Sequence, residues 1–190
     1  MKKVQLIILY FTLVSQVINA QQIYDDFEGT KLQHFGTRNG TLDSTAVNPA
    51  PNNINNSQFC AKYKRSNAKF DNLKIYPNRK LSNVASYASY TGNPPKITMK
   101  VYTSAPVGTK VEIQLGKKGD DNYPSGIHSQ YEAITKTQNA WEELSFTFSQ
   151  IPKGSAISIN DIDKLTILFA ANSTNAETFY FDDINIIFYQ

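Results

Sequence analysis

The chain has 190 residues, 41% of them hydrophobic, with 19 basic against 16 acidic side chains and a single cysteine. That length suffices for one domain that buries roughly 70% of its unfolded surface, and the near balance of charge, with no dominant Lys/Arg cluster, excludes a nucleic-acid footprint. One cysteine excludes an internal disulfide, so stability rests on the core or on a metal.

Residues 1–20 read as a removable export signal: Lys2 and Lys3 precede the apolar stretch 6–14, and Ala20 closes a polar segment suited to cleavage. Ile18, three residues before that cut, is bulkier than the usual small residue. The segment is too short and too poorly flanked for a membrane anchor, which points to a secreted or periplasmic protein without membrane insertion. No cysteine adjoins the cut, against lipid attachment. Removing 20 of the 190 residues leaves 170, and removing Lys2 and Lys3 from the 19 basic residues leaves 17 against 16 acids, a mature charge of about +1. Residues 21–190 read as one domain, monomeric, with no internal repeat and no linker.

Strand-like runs then follow one another, and no long helical pattern competes with them. Strands are expected at 23–27, 59–65, 73–76, 84–90 and 130–135. Within the second of these, Cys60 reads as a small buried residue, since no partner base accompanies it. Lys62, Lys64 and Arg65 read as a solvated strand edge, where lysines discourage strand addition. Ile97, Met99 and Val101 alternate with Lys96, Thr98 and Lys100, and Val111, Ile113 and Leu115 alternate with Lys110, Glu112 and Gln114. The short Ser104-Ala105-Pro106-Val107-Gly108 turn between them predicts an antiparallel pair. Leu144, Phe146 and Phe148 alternate again, and the more continuous run 165–170 suits a central strand. Clusters of Asn, Pro, Gly and Ser at 48–57 and 116–126 separate the strands. About ten short strands so punctuated predict an all-β fold, an antiparallel two-sheet sandwich or jelly roll.

The two ends of the mature chain carry matching acidic marks, Asp25-Asp26-Phe27-Glu28 and Phe181-Asp182-Asp183-Ile184, each inside an aromatic strand. Acids beside buried aromatics are costly unless hydrogen-bonded or bound to a cation, so a shared explanation is expected, with the first and last strands adjacent. In the last strand Phe179 and Phe181 share one parity, and Ile184, Ile186 and Phe188 the other. A bulge at Asp182-Asp183 would restore both apolar faces and turn a carboxylate toward a neighbour.

With these segments, and with Val47-Asn48-Pro49, the run 97–102 and Asn139-Ala140-Trp141-Glu142-Glu143-Leu144-Ser145-Phe146, the chain resembles galactose-binding-like jelly-roll domains, built like carbohydrate-binding modules, of secreted bacterial polysaccharide-degrading proteins. The resemblance spans nearly the whole mature chain in the expected order and contains no catalytic signature. It implies polysaccharide or glycan binding and a structural calcium joining the first and last strands. Glu28 and Asp183 would be its leading ligands, with Asp26, Asp182 and backbone carbonyls as candidates; hard oxygens from distant segments suit that ion.

Trp141 invites a sugar-platform reading, because an aromatic face packs against the C–H face of a pyranose, although the resembling domains use this tryptophan largely for packing. The polar loop 120–128 offers Asp121, Asn122, Tyr123 and His128, a ring with amide, carboxylate and imidazole groups fit for a hydroxyl-rich ligand. His128 and Tyr131 raise β-elimination as an alternative, yet their odd spacing on a strand sends them to opposite faces. Glu142 and Glu143, adjacent and so likewise opposed, do not make a glycosidase pair. The expectation is a secreted, non-catalytic glycan-binding module with structural calcium; a structural or adhesive surface protein and a small polysaccharide lyase are the rivals.

Overall fold

The computed structural model describes residues 20–81, 97–156 and 161–188. Among them there is no helix, and twelve strands follow in order: β1 (Ala20–Asp25), β2 (Gln33–Arg38), β3 (Thr41–Val47), β4 (Phe59–Lys64), β5 (Leu73–Pro77), β6 (Ile97–Thr103), β7 (Lys110–Gly116), β8 (Gly126–Ile134), β9 (Trp141–Gln150), β10 (Ser155–Ala156), β11 (Lys164–Phe169) and β12 (Thr178–Phe188). The export segment 1–20 lies outside the described residues except for Ala20, which opens β1, and the strand expected at 84–90 lies outside them too.

The strands form two antiparallel layers that share β9. One runs β3-β4-β12-β6-β9, with β1 beside the second half of β12; the other runs β2-β5-β11-β7-β8-β9. β9 serves both because its first half, to Phe146, pairs with β6 and its last residues pair with β8 across a register shift. The short β10 lies parallel to the start of β8.

Period two decides the faces: successive side chains of a strand point to opposite sides, so Ile113 and Leu115 enter the core while Glu112 and Gln114 point away. Between the layers, Phe169 of β11 stacks on Phe179 of β12 at 4.8 Å and meets Phe181 at 5.4 Å and Tyr63 of β4 at 5.8 Å. Each such aromatic, fully buried, contributes about 1.5–3 kcal/mol by transfer.

The first and last strands are neighbours, Ala20 opposite Phe188 and Ile23 opposite Asn185. The bulge in β12 is present: the β6 register shifts between Asp182 and Asn185, Asp183 takes φ 46°, and Phe179, Phe181, Ile184 and Ile186 are all buried. Asp tolerates this left-handed conformation better than most residues.

Two expectations need correction. β6 and β7 do not form a hairpin: β6 lies between β9 and β12, and β7 between β8 and β11, so every edge is already paired. Residues 104–109 instead arch from one layer to the other, with Ala105 buried and the Gly108 amide donating to the Thr135 carbonyl at 2.9 Å. Pro and Gly mark a reversal equally well for an arch and a hairpin. Nor is β4 an edge, since β3 and β12 flank it. Lys62 and Lys64 are exposed on it, whereas Arg65 is buried and its guanidinium donates to the carbonyls of Asn175, Ser173 and Ala68.

Candidate functional site

The outward face of the second layer carries a polar row that crosses its strands. Lys74 of β5 pairs with Thr166 of β11, Thr166 with Gln114 of β7, Gln114 with Gln130 of β8, and Gln130 with Gln150 of β9. Directly opposed residues share a face, so the five side chains line up. Glu112 organises the row's middle: its Oε1 accepts Gln114 Nε2 at 2.7 Å and Gln130 Nε2 at 2.5 Å, and Gln130 Oε1 accepts Gln150 Nε2 at 2.6 Å.

Residues 117–125 fold against one end of this row. Asp121 lies between Lys74 and Lys164, with Nζ atoms at 2.7 and 2.9 Å. These hydrogen bonds, that of Lys74 first, hold its carboxyl at about 2. Lys164 is buried and also donates to the Asp120 carbonyl at 2.7 Å. Tyr123 thereby stands over the sheet, half-exposed, its ring centre 5.5 Å from that of His128 in an edge-to-face arrangement. His128 is only 4% exposed; its Nε2 donates to the Ser125 carbonyl at 2.9 Å, and burial lowers its pKa, keeping the ring neutral.

These parts enclose a cavity of about 290 Å³, closed on the far side by Thr37, Arg38 and Asn39 at the end of β2. It continues into a second cavity of about 270 Å³ bounded by Phe70 and Leu168, and the two share Asn72, Gln114, Tyr123 and Thr166. The result is one cleft with a charged end and a more apolar end.

Of the residues singled out from sequence, Asp121, Tyr123 and His128 line the cleft. Asn122 is exposed in the same loop, where its carbonyl accepts Ser125 Oγ at 2.6 Å, but it does not line the cavity. Trp141 lies elsewhere: on the other layer, 1% exposed, with Nε1 donating to Asn48 Oδ1 at 2.8 Å and its ring 5.8 Å from Tyr102. It has no free face for a sugar. Tyr131 points into the core against Phe148, away from His128. Glu142 is buried, accepting the amides of Lys136 and Thr137, while Glu143 is exposed on the opposite side. The residues missed are those of the sheet itself: Glu112, Gln114, Gln130 and Thr166, with Arg38, Asn72 and Phe70 at the rim. Their signal was the polar parity of strands otherwise valued for their apolar one.

Two of the terminal acids, Glu28 and Asp182, meet at another place, the loop before β4. Glu28 Oε1 accepts the amides of Gln58 and Phe59, the latter at 2.8 Å, and Asp182 Oδ2 accepts Asn55 Nδ2 at 2.9 Å. Asp182 is fully buried, and desolvation pushes its carboxyl up to about 6. Asp183 turns to Lys100, 2.5 Å from its Nζ, and Asp26 Oδ1 caps its own turn by accepting the amides of Glu28, Gly29 and Thr30. Among the described residues no three or more His, Cys, Asp and Glu side chains converge as a metal cluster. Carboxylates of two termini around an Asn-rich loop are nevertheless a hard-oxygen donor set of the kind calcium accepts.

No protein-family model and no curated protein matches the chain. Solved structures do. The family 11 carbohydrate-binding module of a cellulosomal cellulase of Clostridium thermocellum matches at 15% identity and TM-score 0.50, covering 88% of this chain and 94% of that one. A mutant of a family 29 carbohydrate-binding module matches at 8% identity and TM-score 0.50, covering 88% and 91%. The fold is the jelly roll of carbohydrate-binding modules. An exo-β-agarase matches as well, at 10% identity and TM-score 0.51, but there 88% of this chain corresponds to 24% of the enzyme.

Proposed function

We propose that the protein is an exported, non-catalytic module that binds a polysaccharide in the cleft on the outer face of the second layer. The observation that carries this reading is the row Lys74, Thr166, Gln114 and Gln130 beneath the half-exposed Tyr123 and the exposed Phe70. Hydroxyls of a glycan would find donors and acceptors along the floor, and ring C–H faces would find aromatic walls. A family 11 module of this fold is solved in complex with a β-1,3-1,4-mixed-linked tetrasaccharide, which supports the use of the fold for an oligosaccharide. Export rests on the character of residues 1–20.

The lyase alternative would need His128, a tyrosine and an arginine in one groove, and Arg38, Tyr123 and His128 do line one cleft. His128, however, is nearly inaccessible and its Nε2–H is engaged by Ser125, which leaves no exposed imidazole base facing the cleft.

The same proposal includes a structural calcium held by Glu28 and Asp182 with oxygens of the loop that both grip. The buried, desolvated Asp182 carboxyl supports it, because a cation would favour the ionised form that burial disfavours. Such an ion would pin the loop before β4 to both terminal strands.

The test is affinity electrophoresis of the purified chain through a panel of soluble polysaccharides, with product analysis alongside. Retardation by at least one polysaccharide without release of oligosaccharides is expected, and it weakens in Tyr123→Ala. Migration unaffected by every polysaccharide, or cleavage of any of them, would refute the reading.

A further inference from the structure

The charged end of the cleft is unevenly provided for. Its cations are Arg38, Lys74 and Lys164, and its acids Asp120 and Asp121. Asp121 is shared by both lysines, and one Asp120 oxygen accepts the Ile127 amide at 3.2 Å. Among the described residues the one other carboxylate of the cleft, Glu112, is occupied by two glutamine amides. Arg38 is exposed at the rim; its Nη1 reaches only the Gly36 carbonyl, at 3.5 Å, and no carboxylate lies within 4.0 Å of it among the described residues. Each of these acids thus has at least one partner, and the planar fork of a guanidinium faces the cavity with no carboxylate beside it among the described residues.

We propose that the polysaccharide is anionic, with a sugar carboxylate or sulfate ester received by Arg38 and the Lys74/Lys164 pair while neutral ring faces lie along Tyr123 toward Phe70. This rests on the cleft being the glycan site. A guanidinium matches both groups bidentately, and Arg38, Lys74 and Lys164 against Asp120 and Asp121 leave this end one positive charge in surplus. Thr37, Asn39 and Asn72 supply neutral partners for the hydroxyls flanking the acid group. The apolar end, with Phe70 and Leu168, suits the less substituted face of a neighbouring residue, so the two ends read different parts of a repeat.

Matched ligands test this by titration calorimetry: polygalacturonate against its fully methyl-esterified form, and a sulfated galactan against its desulfated form, each at about 50 and about 500 mM NaCl. In at least one arm the acidic form binds about tenfold tighter at low salt, and the advantage shrinks at high salt. The arm in which this occurs identifies the source as uronate or sulfate ester. Arg38→Gln reduces the preference about fivefold or more, while Lys64→Gln, a charge loss on the other layer, keeps it; thermal melts confirm that both variants fold. Equal affinity for acidic and neutral forms, or a preference untouched in Arg38→Gln, would overturn the inference. Binding to neutral polysaccharides alone would overturn it and leave the cleft reading standing, whereas binding to none of a broad panel would remove both.

Discussion

Glu28, just after the first strand, and Asp182, in the last, hold neighbouring stretches of one loop: Glu28 takes the amides of Gln58 and Phe59, and Asp182 takes the side chain of Asn55. The loop continues the same joinery, since Asn48 Nδ2 donates to the Ser57 carbonyl at 2.9 Å and Asn48 Oδ1 receives the Trp141 indole N–H. One acid of each mark therefore has a common destination, the two marks being neighbours because β1 and β12 are paired.

Calcium is expected to raise the melting temperature and chelator to lower it. An ion bound only by the folded chain stabilises by about 2.7 kcal/mol at a hundred times its Kd. Glu28→Gln and Asp182→Asn should flatten this response. Asp183→Asn, which removes a group paired with Lys100, should retain it. Identical melts of the unmodified chain in calcium and in chelator would eliminate the metal.

In the cleft, Tyr123→Ala should weaken polysaccharide binding about tenfold, close to the ~1.4 kcal/mol expected for one lost ring contact. Gln114→Ala, in the middle of the floor, should also weaken it, because Gln114 lies in both halves of the cleft. Both variants should melt near the parent temperature, as neither side chain belongs to the core. Undiminished affinity in both would move the binding site off this face.

The architecture was legible because alternation, turn residues and the parity fault of β12 all report local backbone geometry. Pairing was less so. Nothing local distinguishes an arch from a hairpin at 104–109, and the choice was made by β8, β9, β11 and β12, which occupy the edges of β6 and β7. The loop part of the cleft was readable from Asp121, Tyr123 and His128, whose types are conspicuous among turn residues. Its floor was not, because Gln114, Gln130 and Thr166 acquire meaning only when strands distant in sequence are laid side by side. Trp141 was ambiguous for a related reason: a strand-entrance tryptophan is a platform or a wedge depending on whether a loop covers it, and here Asn48 lies against it.

Trp141 should accordingly behave as a core residue. Trp141→Ala is expected to cost about 3–5 kcal/mol, as for other buried large-to-small replacements. Trp141→Phe should cost about 1–3 kcal/mol, since it leaves Asn48 Oδ1 with the Ala50 amide alone. Denaturant unfolding measures both. Polysaccharide affinity of the folded Trp141→Phe chain should match the parent, and a selective loss of binding at unchanged stability would restore the platform role.

Acid should loosen the loop that carries Tyr123, through two groups of the same sign. The folded chain favours neutral His128, chiefly by burial, so its contribution is complete above the unfolded value of 6.5 and declines as pH falls through a lower folded value. Asp121, held at about 2 by Lys74 and then Lys164, contributes above 3.8 and loses that contribution as pH falls toward 2. It is half-exposed, so its share is modest. Asp182 works in the opposite sense: pushed up to about 6 by burial, it contributes stability below 3.8 that is lost as pH rises through about 6. The raw pH profile therefore mixes the three, and the difference between parent and variant separates them. Relative to His128→Gln, the parent should lose melting temperature as pH falls below 6.5, and relative to Asp121→Asn it should lose more between 3.8 and 2. Parallel curves for parent and His128→Gln across the first interval would show that the imidazole is not held neutral.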